Sequence, residues 1–360
     1  VQAVIDPSGA GISCLCGPLI PPEGEGLVFA LQVLPVIIFF AALTSVLYHW
    51  RALQKVVGWL GTALRWVLGT SRAESVNAAT NIFLGQTESP LVIRPFIARV
   101  SRSSLFAIMV GGLATVAGSV LVGYALLGAD LDQLIAAAFM AAPGALLMAK
   151  IVVPETEDVD ADGIPLAETD ATDEAALQEE EAEALEEARH VNVIDAAAAG
   201  AADGLKLAAN IGAMLLAFIS LIALLNLILG TVAGWFGIES LTFEQILGWL
   251  FAPIMFVIGV PWDEAVEAGS FVGQKTVVNE FVAFSNFGPV ADQFTEKTQA
   301  IITFALTGFA NFGSLAILLG GLGGLAPSRR PEIAQLGLRC VAAATLANLM
   351  SAAIAGILIG

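Results

Sequence analysis

Two glutamates stand where an apolar chain should not carry them. Glu88 lies in the run from Ala78 to Val92, and Glu280 lies among Val, Phe and Ala between Glu264 and Phe287. A carboxylate in a membrane segment costs at least ~2.5 kcal/mol on insertion scales, so each marks a candidate site. The bland alternative is a buried glutamate that locks one segment to its neighbour, and one group can do both. Around Glu88 stand Gln86 and Thr87, whose amide and hydroxyl match the edge of a heterocycle that carries both donors and acceptors. Around Glu280 stand Asn311 and Ser314, three residues apart and so on one helix face. A carboxylate with an amide suits vicinal hydroxyls of a sugar. Phe309 can wall that set, or simply fill the core. Asn81 and Thr115 form another group. With free carbonyls of Leu84 and Val116 they can supply the oxygen ligands that a hard cation such as Na+ requires.

Positioning such groups takes a membrane frame. The chain has 360 residues, 57% hydrophobic and 13% charged, with a mean hydropathy of +0.82. That excludes an ordinary water-soluble enzyme and a disordered chain. The net charge of −18 is local: of the 33 acidic residues, 15 lie between Glu155 and Glu187 with no Lys or Arg among them. The tract reads as a solvated connector, its first part disordered and Ala171 to His190 a charged helix. No basic patch suits nucleic acid. Cys14, Cys16 and Cys340 form no disulfide framework, and His49 and His190 stand alone. No P-loop and no nucleophile–base pair appears, which argues against ATP-driven transport and against an enzyme.

The segments then follow. Residues 1–26 are loop-like and lack an initiator Met, so the chain is expected to begin partway into a longer protein. Residues 27–70 hold a span, Leu27 to Tyr48 with Pro35 as a kink, and an interfacial amphipathic helix from Arg51 to Leu68 with Arg51, Lys55 and Arg65 on its polar side. Residues 71–153 hold a re-entrant hairpin with its tip near Gly85 to Glu88, then spans Leu105–Leu127, with a possible break near Thr115, and Leu134–Val153. Residues 154–190 are the acidic linker. Residues 191–239 hold a span entered near Leu205. Residues 240–360 hold a second re-entrant hairpin, turning near Pro261, then spans Ala300–Leu325 and Ile333–Gly360.

The two halves match. Gly112-Leu113-Ala114-Thr115-Val116-Ala117-Gly118-Ser119 follows the first hairpin, and Gly308-Phe309-Ala310-Asn311-Phe312-Gly313-Ser314 follows the second. Paired interrupted segments in corresponding places point to a secondary-transporter site. Eleven of the 15 bases, including Arg51, Arg94, Lys150 and Arg329, fall in connectors on one side. The positive-inside rule makes that side, and the acidic linker with it, cytoplasmic. The second hairpin then enters from the opposite side, as in an inverted repeat.

The string Asn81-Ile82-Phe83-Leu84-Gly85-Gln86-Thr87-Glu88-Ser89-Pro90-Leu91-Val92-Ile93-Arg94-Pro95 resembles the first-hairpin signature of the concentrative nucleoside transporters. Val278-Asn279-Glu280-Phe281-Val282-Ala283-Phe284 and Gly308 to Ser314 resemble later motifs of that family. The resemblance runs from about Leu27 to the C-terminus. It implies an all-α, inverted-repeat secondary transporter of the bacterial inner membrane, with a scaffold around a mobile transport domain, assembled as a homotrimer. It implies cation-coupled import of nucleosides by alternating access, with Na+ and, in some members, H+. By motif, Gln86, Thr87, Glu88 and Val120 would face the base. Glu280, Phe309, Asn311 and Ser314 would hold the ribose. Asn81, Leu84, Thr115 and Val116 would hold Na+, the second and fourth through carbonyls. Thr115 replaces a serine frequent in the family and keeps the hydroxyl. Bacterial members carry two further spans ahead of the one at Leu27. H+ coupling through Glu88 or Glu280, or a passive channel or sensor on the same scaffold, are the competing expectations.

Overall fold

The computed structural model describes residues 28–166, 191–236 and 241–359, with a few positions nearer the N-terminus. The rest of the N-terminal segment, and the linker beyond 166 with its expected charged helix, lie outside the described residues. Among the described residues there is no strand, only one isolated bridge between Val159 and Pro165, and five helices are long and apolar enough to cross a bilayer.

The first repeat starts with a single turn, Phe29–Gln32, and α1, Leu34–His49. Pro35 does not kink this span. It stands in the first turn of α1, where its missing N–H leaves no bond unmade, and the break falls at Val33. Helix α2, Ala52–Leu68, is amphipathic as expected: Leu53, Val57 and Gly61 are buried, while Trp59 and Trp66 are exposed. Left-handed residues at both ends, Arg51 and Gly69, turn the chain sharply there.

Helix α3, Arg72–Asn81, opens with a capping box between Ser71 and Glu74. Helical structure then stops, and the chain returns as two single turns, α4 (Ser89–Val92) and α5 (Arg94–Ile97). Pro90 and Pro95 each stand near the start of a turn, which explains the interruption at Ile93. This is the first hairpin, with its tip at 82–88 as the sequence indicated. Next come α6, Arg102–Ala114, and α7, Gly118–Leu126. The expected break near Thr115 is present: Thr115 and Ala117 are extended. Helix α8, Leu131–Val152, closes the repeat.

The start of the acidic tract is ordered, contrary to the reading from composition. Asp160 Oδ1 accepts the backbone N–H groups of Asp162 and Ile164, and Ile164 is buried. The Ser101 hydroxyl donates to Glu155 at 2.6 Å, and Lys150 bridges Glu155, Ser103 and the buried Glu74. Charge there is met by local partners, so net acidity does not dictate disorder.

The second repeat runs in the same order. Helix α9, Val193–Trp235, has 43 residues and starts well before Leu205. Helix α10, Phe243–Val257, occupies the place of α2. Helix α11, Trp262–Val277, is bent 118° from it. Then come α12, Glu280–Phe287, the broken pair α13, Glu296–Leu306, and α14, Phe312–Leu325, and finally α15, Arg330–Ile359. The hairpin tip therefore lies at Val278–Asn279 and not at Pro261. Pro261 begins α11, whereas Asn279 is extended and caps α12 through a bond from Val282 N–H.

Scaffold and bundle separate by packing. Helices α1 and α9 leave most of their apolar surface exposed and meet along small residues. A Cβ on Gly204 would fall 2.7 Å from the Ala41 Cβ, and one on Gly200 would fall 2.6 Å from the Ser45 Cβ. Close backbone approach of this kind is how apolar helices associate in lipid. The two hairpins, the broken helices, α8 and α15 supply most of the buried cores, and Ile37 of α1 with Ile211 and Leu215 of α9 joins one of them.

Candidate functional site

A cavity of about 740 Å³ lies between the α1/α9 pair and the two hairpin tips. Gln86, Thr87 and Glu88 line it from the first tip, Glu280 from the second, with Val120, Phe309 and Ser314 between them. The scaffold contributes Tyr48, Asp203, Asn210 and Met214. Seven of the eight substrate positions named from sequence thus converge on one volume, of a size typical for a small-molecule site. Asn311 does not itself line the wall.

Each tip holds its carboxylate differently. Glu88 is exposed to the cavity, and Gly85 N–H donates to its Oε2 at 2.7 Å. Gln86 is buried with Oε1 unpartnered. Glu280 is 4% exposed and occupies the first position of α12. Asn311 Nδ2 donates to Glu280 Oε2 at 2.8 Å, while Asn311 Oδ1 caps α14 by accepting Ser314 N–H at 2.7 Å. The carboxylate is thereby tied to two helix N-termini, where negative charge is favoured.

The residues expected to hold a cation lie on the first hairpin and the α6/α7 break. Asn81 is wholly buried; its Nδ2 donates to Asn77 O, and its Oδ1 has no partner. Thr115 is buried, and its hydroxyl donates to Gly111 O at 2.7 Å. A Cβ on Gly111 would lie 3.6 Å from Asn81 Nδ2, so the tip of α3 and the α6/α7 break are adjacent. Gly118 N–H donates to Phe83 O and ties the break to the tip. Among the described residues no backbone N–H donates to the Leu84 or Val116 carbonyl. An orphaned buried amide oxygen and carbonyls without a backbone donor are the kind of oxygen ligands that a hard cation takes. Ser89 Oγ, also buried and unpartnered, is a further oxygen at this tip that the sequence reading passed over.

Two more buried polar groups went unnoticed in the sequence. Lys275 Nζ donates to Ala305 O and to Asn348 Oδ1, at 2.7 and 2.8 Å. Asn348 Nδ2 donates to Ala114 O and Thr307 O. The signal was available, since an intramembrane lysine is as conspicuous as an intramembrane glutamate.

Comparison with known proteins agrees with this arrangement. The family described as "Na+ dependent nucleoside transporter C-terminus" matches residues 133–356, and "Nucleoside recognition" matches residues 30–131. The chain is 55% identical to the uncharacterized transporter YutK of Bacillus subtilis over 100% of its own length and 85% of the relative's. It is 45% identical to the nucleoside permease NupC of Helicobacter pylori, covering 100% of this chain and 84% of that one. The solved structure of CNTnw in an inward-facing substrate-bound state superposes with a TM-score of 0.88 at 49% identity, over 100% of this chain and 84% of CNTnw. An outward-facing CNTnw variant gives 0.90. Motif, repeat order, cavity and relatives converge: the chain belongs to the concentrative nucleoside transporter family, a family of multi-pass membrane transporters and not of enzymes.

Proposed function

We propose that this transporter imports nucleosides with Na+ by alternating access. The carrying observation is that Glu280, buried and held by Asn311, shares one cavity with Gln86, Thr87 and Glu88 of the opposite tip. In this reading the base lies toward the first tip, against Gln86, Thr87, Glu88 and Val120. The ribose lies toward the second, with its hydroxyls on Glu280 and Ser314 and Phe309 beside it. Asn311 acts by fixing the carboxylate.

Na+ enters as a second substrate. Asn81 and Thr115 side chains with the Leu84 and Val116 carbonyls would receive it, next to the tip that takes the base. Filling the site orders that tip, so bound Na+ raises nucleoside affinity, and the reverse follows by linkage. The names of relatives support the ion: the matched family is termed Na+ dependent, and a mouse relative, 36% identical over 93% of this chain and 52% of its own, is sodium/nucleoside cotransporter 1. H+ coupling is the second reading, because two carboxylates face the cavity. A homotrimer in the bacterial inner membrane, with the acidic linker in the cytoplasm, completes the proposal; the exposed apolar faces of α1 and α9 are available to lipid or to other protomers.

The test is uridine uptake into proteoliposomes under an inward Na+ gradient, then under an inward H+ gradient at equal Na+. Accumulation driven by Na+ supports symport. Accumulation driven only by H+ discards the Na+ site, and equilibration without accumulation means a passive channel.

A further inference from the structure

Helix α7 starts at the break that carries Thr115 and Val116. Its first N–H, that of Gly118, donates to Phe83 O of the first tip at 3.2 Å. Val120 lines the cavity from its first turn. Tyr124 stands one turn later on the same face and is wholly buried. The Tyr124 ring stacks on Phe284 with centroids 4.4 Å apart and meets Phe281 edge-on at 4.8 Å. Both phenylalanines belong to α12, which Glu280 opens. A residue of the first repeat is thus wedged against the helix that presents the carboxylate of the second.

Packing accounts for the ring and not for the hydroxyl. A phenylalanine would stack equally well, whereas a phenol buried away from water requires a partner for its O–H. Among the described residues, Tyr124 Oη makes no hydrogen bond of ordinary length and angle. The charged group it faces is the Glu280 carboxylate, close enough for the two side chains to interact. Glu280 can accept it: a carboxylate offers about four lone-pair sites, and Asn311 Nδ2 takes one of them, on Oε2. Hydrogen bonds of a working site are often long in one state and tighten in another.

We propose that Tyr124 is a specificity-determining residue for the sugar: its hydroxyl donates to Glu280 as the nucleoside seats, and fixes the carboxylate so that its remaining lone pairs meet the ribose hydroxyls. The proposal rests on the reading of Glu280 as the ribose carboxylate. Tyr124 is a positioning residue. It does not line the cavity and acts through Glu280. One face of α7 then serves both ends of the substrate, the base through Val120 and the sugar through Tyr124.

The test is competition against labelled uridine uptake in proteoliposomes, with unlabelled uridine and 2′,3′-dideoxyuridine as competitors. Tyr124→Phe is expected to raise the inhibition constant of uridine by about threefold to tenfold, the range of one hydrogen bond, and to leave that of the dideoxy analogue unchanged. Equal losses for both competitors, or no loss, overturn the proposal and leave Tyr124 a packing residue. In a Glu280→Gln background, Tyr124→Phe is expected to add nothing, because the two groups act as a unit. Full additivity overturns the proposal. Glu280→Gln alone must narrow the gap between the two competitors; if it does not, the ribose reading falls and takes the proposal with it, whatever Tyr124→Phe does. Should a variant fail to fold or to transport, the hydroxyl can be read in place. The sequence holds two tyrosines, Tyr48 and Tyr124, so fluorotyrosine labels these alone and Tyr48→Phe assigns their fluorine NMR signals. Saturating uridine is expected to shift the Tyr124 signal, and saturating dideoxyuridine is not. The same shift with both, or none with uridine, overturns the proposal.

Discussion

Asn311 donates its side-chain amide to the Glu280 carboxylate at 2.8 Å, across the gap between the second hairpin and the helix broken at Thr307–Asn311. With its other side-chain atom it caps α14. One amide thus fixes the carboxylate and starts the helix that carries Ser314.

That relationship predicts unequal losses. Glu280→Gln keeps the shape and removes the charge. Uridine uptake at low concentration should fall by about tenfold to a hundredfold, from roughly 1.5–3 kcal/mol per hydrogen bond to a charged group, while detergent-solubilised protein stays monodisperse. Undiminished uptake would show that Glu280 does not hold the ribose.

Asn311→Ala should damage both site and fold, because it removes a cap worth about 1 kcal/mol and takes from Glu280 the amide that donates to its Oε2. We expect reduced thermal stability together with lost uptake. Equal stability with lost uptake would mean that the cap matters little.

Asn81→Ala removes the unpartnered Oδ1. The Na+ concentration for half-maximal uptake should rise by about tenfold, the equivalent of ~1.4 kcal/mol, with maximal uptake at saturating Na+ largely kept. An unchanged Na+ response would dismiss the ion assignment.

Gly204→Val tests the scaffold seam. Its Cβ would meet Ala41 Cβ at 2.7 Å and Ile38 Cα at 2.8 Å, so α1 and α9 must part. Overpacking of this kind costs about 1–3 kcal/mol, and a lower melting temperature by fluorescence-detected size exclusion should report it.

Gly163→Val tests the docked start of the linker. Gly163 has φ +89, and a Cβ there would lie 2.8 Å from both the Ser71 and Ser104 hydroxyls. The 154–166 segment should detach and become open to limited proteolysis, with the cleavage pattern read by mass spectrometry.

Much of this was legible in residue types. The first hairpin was visible because Gly85, Pro90 and Glu88 interrupt an apolar run, and polar groups at membrane depth must be met by protein or a cavity. The break at Thr115 followed from Gly and Ala around it. The second tip was misplaced because Pro261 is a stronger breaker by type than Val278–Asn279, yet proline is well suited to begin a helix, and here it does. The linker start was misread because composition counts charges and cannot see that Glu155 meets Ser101 and Lys150. Lys275 and Asn348 were missed for another reason: their partners are backbone carbonyls, which every sequence carries at every position.

Asn348 draws Ala114 O and Thr307 O onto one side-chain amide, and Phe309 N–H is bonded to Thr115 O. The proposed ion set and sugar set therefore hang from a common rivet, though they belong to opposite halves of the sequence. Cation and nucleoside would cross as passengers on a single platform, with the first tip, ordered by the one and touching the other, as the link between them.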